Sequence, residues 1–185
     1  FNDLLMIKKG YHDDASIVAA KKKAGVVVDT PDNQSLETIK KSLALAEKLG
    51  AFAGQIVDEG LDEVEIEYEG EVTNLNMKPL TAAALAGVLR PLLQDVNVVS
   101  APTLMKERGA TLTESTRDSS PTYDSLIRLK VKTGGGWRTL AGAVIAGQPR
   151  IVEVKGMALE APFQQNTLYI NNSDKPGFIG ALGTL

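Results

Sequence analysis

The sequence predicts an α+β fold in which a largely antiparallel sheet is covered by two main helices. Two segments carry apolar residues at helical spacing, and five others have the alternation or β-branched content of strands. Helices and strands are grouped along the chain rather than strictly alternating, which favours this class over a doubly wound parallel sheet. The expected helices span 36–54 and 79–93, and the expected strands lie near 64–69, 111–117, 124–133, 137–145 and 150–155.

Both predicted helices have recognisable terminal signals. Ser35 can cap the first helix, and its apolar stripe has the spacing of a helix face: Leu36, Ile39, Leu43, Ala46 and Leu49. Pro79 is tolerated in the first turn of the second helix, whereas Pro91 must end or kink it. The second helix also carries small residues that would let another element approach closely: Ala82, Ala83, Ala86 and Gly87. A shorter helix is expected over 103–109, closed by a glycine.

The first predicted strand is strongly acidic. Residues 57–71 contain eight carboxylates and no Lys or Arg. Within this stretch, segment 64–69 alternates apolar and acidic residues, which is typical of a strand with one wet face. Acids two residues apart on a strand stand roughly 6.6 Å apart and do not converge on an ion. A solvated acidic face is therefore favoured, with a metal site as the alternative.

A β-hairpin over 126–140 is the clearest supersecondary prediction. Residues 126–132 alternate, three glycines at 134–136 provide the turn, and the chain returns from Trp137. The triple glycine is not a phosphate loop, because no Lys-Ser/Thr pair follows it. The alternation places Arg128, Lys130 and Lys132 on one face. They are either part of a solvated polar face or ligands of a small anion.

Charge is unevenly distributed along the chain. The 185 residues have a net charge of −3 and a pI near 5.3, which argues against a nucleic-acid partner. Residues 100–155, in contrast, contain nine basic and five acidic side chains and are net +4. This segregation makes an anionic small ligand in the second half of the domain plausible.

Composition excludes several kinds of site. The chain has no cysteine and one histidine, His12, so a disulfide framework, a thiolate nucleophile and a cysteine- or multi-histidine-based metal site are excluded. No apolar run approaches the roughly 20 residues that cross a bilayer. We expect a soluble, cytoplasmic protein without membrane or metal partners. Because the chain opens on Phe1 and ends in an interrupted helix, we also expect it to be part of a longer polypeptide.

The last module is predicted to be a strand over 166–172, a loop and a helix from Phe178. The glycines at 177, 180 and 183 are spaced GxxGxxG rather than GxGxxG, and no acidic ribose partner follows, so a dinucleotide site is not expected. The helix N-terminus favours a carboxylate or phosphate. Asn172 and Asp174 stand beside it, and Asp174 could bind an amino group.

An ordered set of short motifs resembles a known family. The motifs are LAEKLG (45–50), AGQ (53–55), IEYEG (66–70), NMKPL (76–80), LAGVL (85–89), VNVVSAP (96–102) and KERG (106–109). They resemble the intervening domain of long-form D-3-phosphoglycerate dehydrogenase. RIVEVKG (150–156), LYI (168–170), DKPG (174–177) and IG (179–180) resemble its passage into a C-terminal ACT domain, a βαββαβ unit.

The resemblance implies a regulatory portion of an NAD-dependent enzyme that oxidises 3-phosphoglycerate at the entry to L-serine biosynthesis. The catalytic and NAD-binding motifs of that family are not found here, so no catalytic or cofactor-binding residue is assigned. The implied organisation is a poorly matched segment 1–34, an intervening domain 35–160 and the start of an ACT domain at 161–185. Homo-oligomerisation is implied as well.

The resemblance also implies two binding sites. An effector loop for L-serine would comprise Asn172, Asp174, Pro176 and Gly177, and a site for a phosphorylated small acid would use Arg150, Lys155, Arg128 and Lys130. Met157 and Pro162 stand where some relatives carry arginines. Two alternatives remain: a stand-alone oligomerisation or ligand-binding module, and the related domain of an iron–sulfur L-serine dehydratase, whose cluster needs cysteines that this chain lacks.

Overall fold

A computed structural model describes residues 33–57, 60–170 and 176–184. The predicted segment 1–34 therefore lies almost entirely outside the described residues. The helices are α1 (Asn33–Gln55), α2 (Met77–Leu89), α3 (Ala101–Glu107) and α4 (Phe178–Leu182), with a 3₁₀ turn at Glu71–Asn74. The strands are β1 (Glu63–Gly70), β2 (Thr111–Arg117), β3 (Ser125–Thr133), β4 (Gly136–Ile145), β5 (Gln148–Val154) and β6 (Met157–Pro162).

The six strands form one sheet in the order β2-β1-β3-β4-β5-β6. Only β1 and β2 are parallel, and α2 and α3 lie between them in the chain; the other neighbours are antiparallel. Two tight hairpins, Ala146-Gly147 and Lys155-Gly156, have positive φ at both residues. This is the type I′ geometry that suits the twist of antiparallel strands. The predicted α+β class with a largely antiparallel sheet is confirmed.

The hydrophobic core lies between the sheet and the helices α1 and α2. The strands supply alternate residues to it, such as Val64, Ile66 and Tyr68 of β1, while α1 supplies Leu45 and Leu49, all of them buried. The intervening side chains of β1 and β3 point to the opposite side, which we call the open face. A second, smaller apolar cluster on that face groups Leu126, Ala141, Ala143 and Val152, with Tyr123 and Ile145 packed against it.

Helices α1 and α2 cross with their backbones in direct contact. A Cβ at Gly50 would overlap the carbonyl of Ala84, and one at Gly87 would overlap the backbone of α1 at Glu47 and Ala51. Only glycine, which has no Cβ, permits this approach. The prediction that small residues of the second helix admit another element closely is thus confirmed at Gly87.

The edge strand β2 is linked to the core by a chain of side-chain hydrogen bonds that includes a buried pair of hydroxyl groups. Tyr68 Oη lies 2.8 Å from Thr81 Oγ1 of α2, and Thr81 in turn donates to the carboxylate of Glu114 on β2. Burial raises the pKa of Tyr68 well above its ordinary value, so the phenol stays neutral. All seven residues of β2 are exposed, and this polar chain adds a link between the strand and α2.

The predicted elements differ from the observed ones mainly at their ends. The second helix spans Met77–Leu89 rather than 79–93, because the Asn76 side chain caps it and Pro91 cannot continue it. Strand β6 was not predicted. The strand predicted over 166–172 is wrong for its described part, since residues 166–170 form no strand.

The helix crossing gives a direct test of the packing. We predict that Gly87→Ala lowers the free energy of unfolding by about 2 kcal/mol, because overpacking against the α1 backbone outweighs the better helix propensity of alanine. Urea denaturation followed by circular dichroism measures the change. Gly134→Ala is the control, since a Cβ at Gly134 meets nothing within 4 Å. Equal effects of the two substitutions would contradict the close packing.

Candidate functional site

A ladder of ion pairs runs across the open face between β1 and β3. The register places Glu63 opposite Lys132, Glu65 opposite Lys130 and Glu67 opposite Arg128. Lys130 Nζ lies 2.8 Å from Glu65 Oε2, and Lys132 Nζ lies 3.8 Å from Glu63 Oε2. The alternation predicted an acidic face on β1 and a basic face on β3 separately. In the structure the side chains of these two faces form ion pairs with each other. The acids of this strand are ion-paired rather than only solvated.

Arg128 is the centre of this charge ladder. Its guanidinium lies 2.7 Å from Glu153 Oε2, 3.5 Å from Glu67 Oε2 and 3.5 Å from Glu69 Oε1. Burial alone would lower the pKa of Arg128, but the hydrogen bond to Glu153 and the three surrounding carboxylates raise it. The Glu69 side chain is only 3% exposed, so its charge depends on Arg128 for compensation.

This placement bears on three of the four residues predicted to bind an anion. Arg128 and Lys130 lie on the open face and already contact carboxylates. Arg150, opposite Ala143 in the sheet, has a buried Nε with no hydrogen-bond partner among the described residues. Lys155 lies apart from these three, in a cavity on the helix side of the sheet.

Lys155 instead lines a large open cavity on the helix side of the sheet. The cavity has a volume of about 810 Å³ and lies between α1, the sheet at β4 and β5, and the segment 163–169, which we call the strap. Three cationic side chains line it, Lys48, Arg138 and Lys155, and no carboxylate is among its described lining residues. A concave surface lined by several cationic side chains favours an anionic ligand.

Secondary structure fixes the direction of each group in the cavity. Lys48, Phe52 and Gln55 recur at i, i+4 and i+7 on α1, so they share one side of the helix. Lys155 occupies the left-handed position of the β5–β6 turn, with its N–H donating to the Thr139 carbonyl at 2.8 Å. Arg138 follows the triple-glycine turn, and its Nη1 donates to the Gly135 carbonyl at 3.3 Å.

Sequence reasoning did not assign Lys48 or Arg138 to a site. Lys48 is an exposed lysine on an amphipathic helix, and nothing in its local pattern distinguishes it from a solvated residue. Arg138 is one of the basic residues of segment 100–155, but the sequence pattern assigns it to no site. Its position directly after the hairpin turn was the available signal, because it points to the same side as the core residue Leu140.

Aromatic rings of the strap contact the cavity's lysines. Lys48 Nζ lies 5.9 Å from the centre of the Phe163 ring, and Lys155 Nζ lies 5.8 Å from that of Tyr169. Phe52 of α1 meets Tyr169 edge to face, with centroids 5.9 Å apart and planes at 77°. The strap is thus held over the cavity by two cation–π contacts and one aromatic pair.

The predicted effector loop is only partly within the described residues. Asn172 and Asp174 lie outside them. Pro176 and Gly177 are exposed, and Gly177 has φ 88° at the start of the five-residue helix α4.

No group of three or more His, Cys, Asp or Glu side chains is arranged to hold a metal ion in the described part of the chain. None of the helices described is long and apolar enough to cross a membrane.

The fold and site together define a two-layer α+β domain with a cation-lined cavity beside its sheet. The family model of the D-3-phosphoglycerate dehydrogenase intervening domain matches residues 38–155. The chain therefore belongs to the D-3-phosphoglycerate dehydrogenase family and contains its intervening domain. The resemblance found in the motifs is confirmed.

Curated relatives agree with this assignment. The chain is 32% identical over 144 residues to a D-3-phosphoglycerate dehydrogenase of Archaeoglobus fulgidus, covering 77% of this chain and 27% of the relative. It is 33% identical over 150 residues to the Bacillus subtilis protein of that name, a match that covers 80% of this chain and 28% of the relative. It is 30% identical over 189 residues to the Methanocaldococcus jannaschii protein of that name, a match that covers 91% of this chain and 36% of the relative. The chain thus spans about a quarter to a third of the relatives' length.

The charge ladder gives a second testable prediction. Arg128→Met should lower the free energy of unfolding by about 3 kcal/mol, because it leaves the buried Glu69 carboxylate without its cation. Lys132→Met, which removes an exposed partner of Glu63, should cost less than about 1 kcal/mol. Urea unfolding of both variants measures the difference. Similar losses would show that Arg128 has no special role in the sheet.

Proposed function

We propose that this chain is the regulatory and oligomerisation portion of an NAD-dependent D-3-phosphoglycerate dehydrogenase, the enzyme of the first step of L-serine biosynthesis. In this proposal the chain does not carry out the oxidation. NAD binding and hydride transfer take place in other parts of the enzyme, in the cytoplasm. The intervening domain binds a substrate-like anion, and the region after the strap contributes to sensing of L-serine. Family membership and the cationic cavity support this assignment.

The cavity is the observation that carries the proposal. A phosphorylated small acid offers a phosphate and a carboxylate, and the ammonium groups of Lys48 and Lys155 are charged donors suited to both. Gln55, Gln164 and Thr167 add neutral hydrogen-bonding groups on the cavity wall that suit hydroxyl or carboxylate oxygens. The arrangement provides binding groups only, which fits a regulatory rather than a catalytic role.

Self-association is proposed on different grounds. Both edges of the sheet are open within the described residues, at β2 and at β6, and the residues of both strands are largely exposed. Unpaired strand edges favour pairing with another chain. These edges are consistent with a homo-oligomeric enzyme in which this portion contributes contacts between subunits.

Anion binding in the cavity is tested by calorimetry with 3-phosphoglycerate on the 185-residue chain. Lys155→Gln should weaken binding about tenfold, because it removes a charge-assisted contact from a half-buried site. Lys106→Gln is the matched control, since it removes the same charge from α3, outside the cavity lining. Equal weakening by both, or no binding by the unmodified chain, would contradict the proposed site.

Serine sensing is tested separately, with the intact enzyme. Asn172→Ala should weaken L-serine binding about tenfold, since hydrogen bonds to a charged ligand are lost. Asn166→Ala, an exposed residue of the strap, is the control. Calorimetry with L-serine measures both variants. Unchanged L-serine binding in the Asn172 variant would remove the effector assignment and leave the anion site unaffected.

A further inference from the structure

The strap is an irregular segment fixed almost entirely by its aromatic side chains. Residues 163–169 follow β6 and form neither strand nor helix. Within the described residues no backbone hydrogen bond joins the strap to another part of the domain, and the Thr167 hydroxyl contacts only the strap's own Gln164 carbonyl. Phe163 and Tyr169 are half-buried, whereas Leu168 between them is 76% exposed. Its attachment therefore depends on the two ends of the segment.

Each end of the strap is held by a lysine that also lines the cavity. Lys48 of α1 lies over Phe163, and Lys155 of the β5–β6 turn lies over Tyr169. The same two ammonium groups are therefore available to a bound anion and to the rings. No described carboxylate in the cavity competes for them. The rings are the partners that these lysines have in the described structure.

The two kinds of contact differ in strength. A cation–π contact with a partly exposed Phe or Tyr is weak, while an ammonium that meets a phosphate or carboxylate makes a short, charge-assisted hydrogen bond. A small dianion between Lys48 and Lys155 would draw both ammonium groups toward itself. Each would move away from its ring, and both ends of the strap would lose their cation–π contacts together, leaving Tyr169 only its contact with Phe52 and both rings their packing against the core.

We infer that the strap is an anion-released latch: cation–π contacts of Lys48 with Phe163 and of Lys155 with Tyr169 hold it over the empty cavity, and a bound phosphorylated small acid frees it. This inference rests on the proposed anion site and adds its regulatory output. Because the strap continues directly into residues 170–184, its release transmits occupancy of the cavity to the part of the chain that follows. By linkage, whatever holds the strap in place weakens anion binding.

The absence of cysteine allows a direct measurement of strap mobility. A nitroxide is attached to Leu168→Cys in the otherwise unmodified 185-residue chain, and its spectrum is recorded without ligand and with saturating 3-phosphoglycerate or inorganic phosphate. Val99→Cys, at an exposed position 89% accessible and outside the cavity lining, carries the control label. The ligand should increase mobility at position 168 and leave position 99 unchanged.

A second pair of variants tests the rings themselves. Phe163→Leu combined with Tyr169→Leu keeps apolar volume but removes both cation–π partners. This variant should show a mobile strap without ligand and bind 3-phosphoglycerate about two- to fivefold more tightly, because the lysines no longer have to leave their rings. Phe178→Leu in α4 replaces an aromatic ring outside the cavity lining and should alter neither quantity.

The outcomes separate the latch from the site on which it rests. If the chain binds 3-phosphoglycerate and the label at 168 becomes less mobile or stays unchanged, the latch is wrong, while the proposed site stands. Weaker binding by the double variant would overturn the latch in the same way. If calorimetry detects no binding to the unmodified chain, the proposed function and the latch both fail.

Discussion

The contact between the backbones of α1 and α2 is the constraint on which the rest of the domain depends. Gly50 and Gly54 of α1 and Gly87 of α2 have no Cβ, so the helices approach until main chain meets main chain. On the sheet, Gly142 similarly leaves room for the Leu45 and Leu49 side chains. Since α1 is held at this depth and rotation, Lys48 and Phe52 come to lie beside the ends of β4 and β5. The cavity is a consequence of helix packing.

The sheet separates two sets of cations with different surroundings. Those on the open face, Arg128, Lys130 and Lys132, lie opposite acidic residues of β1 and are neutralised across the strands. Lys155, which lines the cavity, has no acidic residue opposite it in the register of the sheet. The positive charge of the second half of the chain thus divides into a structural part and a part available to a ligand. Alternation along β3 decides which residues belong to the structural part.

Sequence patterns were sufficient to predict helices and strands with a clear hydrophobic periodicity. They were insufficient for elements that form only by pairing with residues distant in the chain. Alternation in 126–132 and the turn glycines predicted the central hairpin correctly. Strand β6 has no such pattern, because nearly all its residues are exposed, and it is a strand only since β5 offers an edge. Residues 167–170 have β-forming side chains but pair with no described strand, so the strand predicted from β propensity alone is wrong.

The candidate site shows the same limit more sharply. Lys155 was identified because a family motif ends near it, whereas Lys48 lies more than 100 positions earlier in the chain and carries no local signal. Its place in the cavity follows from the crossing of α1 over the sheet, which sequence patterns do not specify. The pairing of the acidic face of β1 with the basic face of β3 could, in contrast, be predicted from the sequence. Two alternating strands of opposite charge predict their own pairing, because unpaired like charges on one face repel.

The weakness of the strap's contacts is what suits them to regulation. Two partly exposed cation–π contacts contribute on the order of 1–2 kcal/mol together to the held state, beside the Phe52–Tyr169 pair and the packing of both rings against the core. A ligand shifts such an equilibrium by the ratio of its affinities for the two states, and a tenfold preference for the released state offsets about 1.4 kcal/mol. Stronger anchoring, for example by a buried ion pair, would require a much larger preference. The proposed latch therefore relies on contacts that an anion of ordinary affinity can replace, because the lysines exchange their rings for charge-assisted hydrogen bonds.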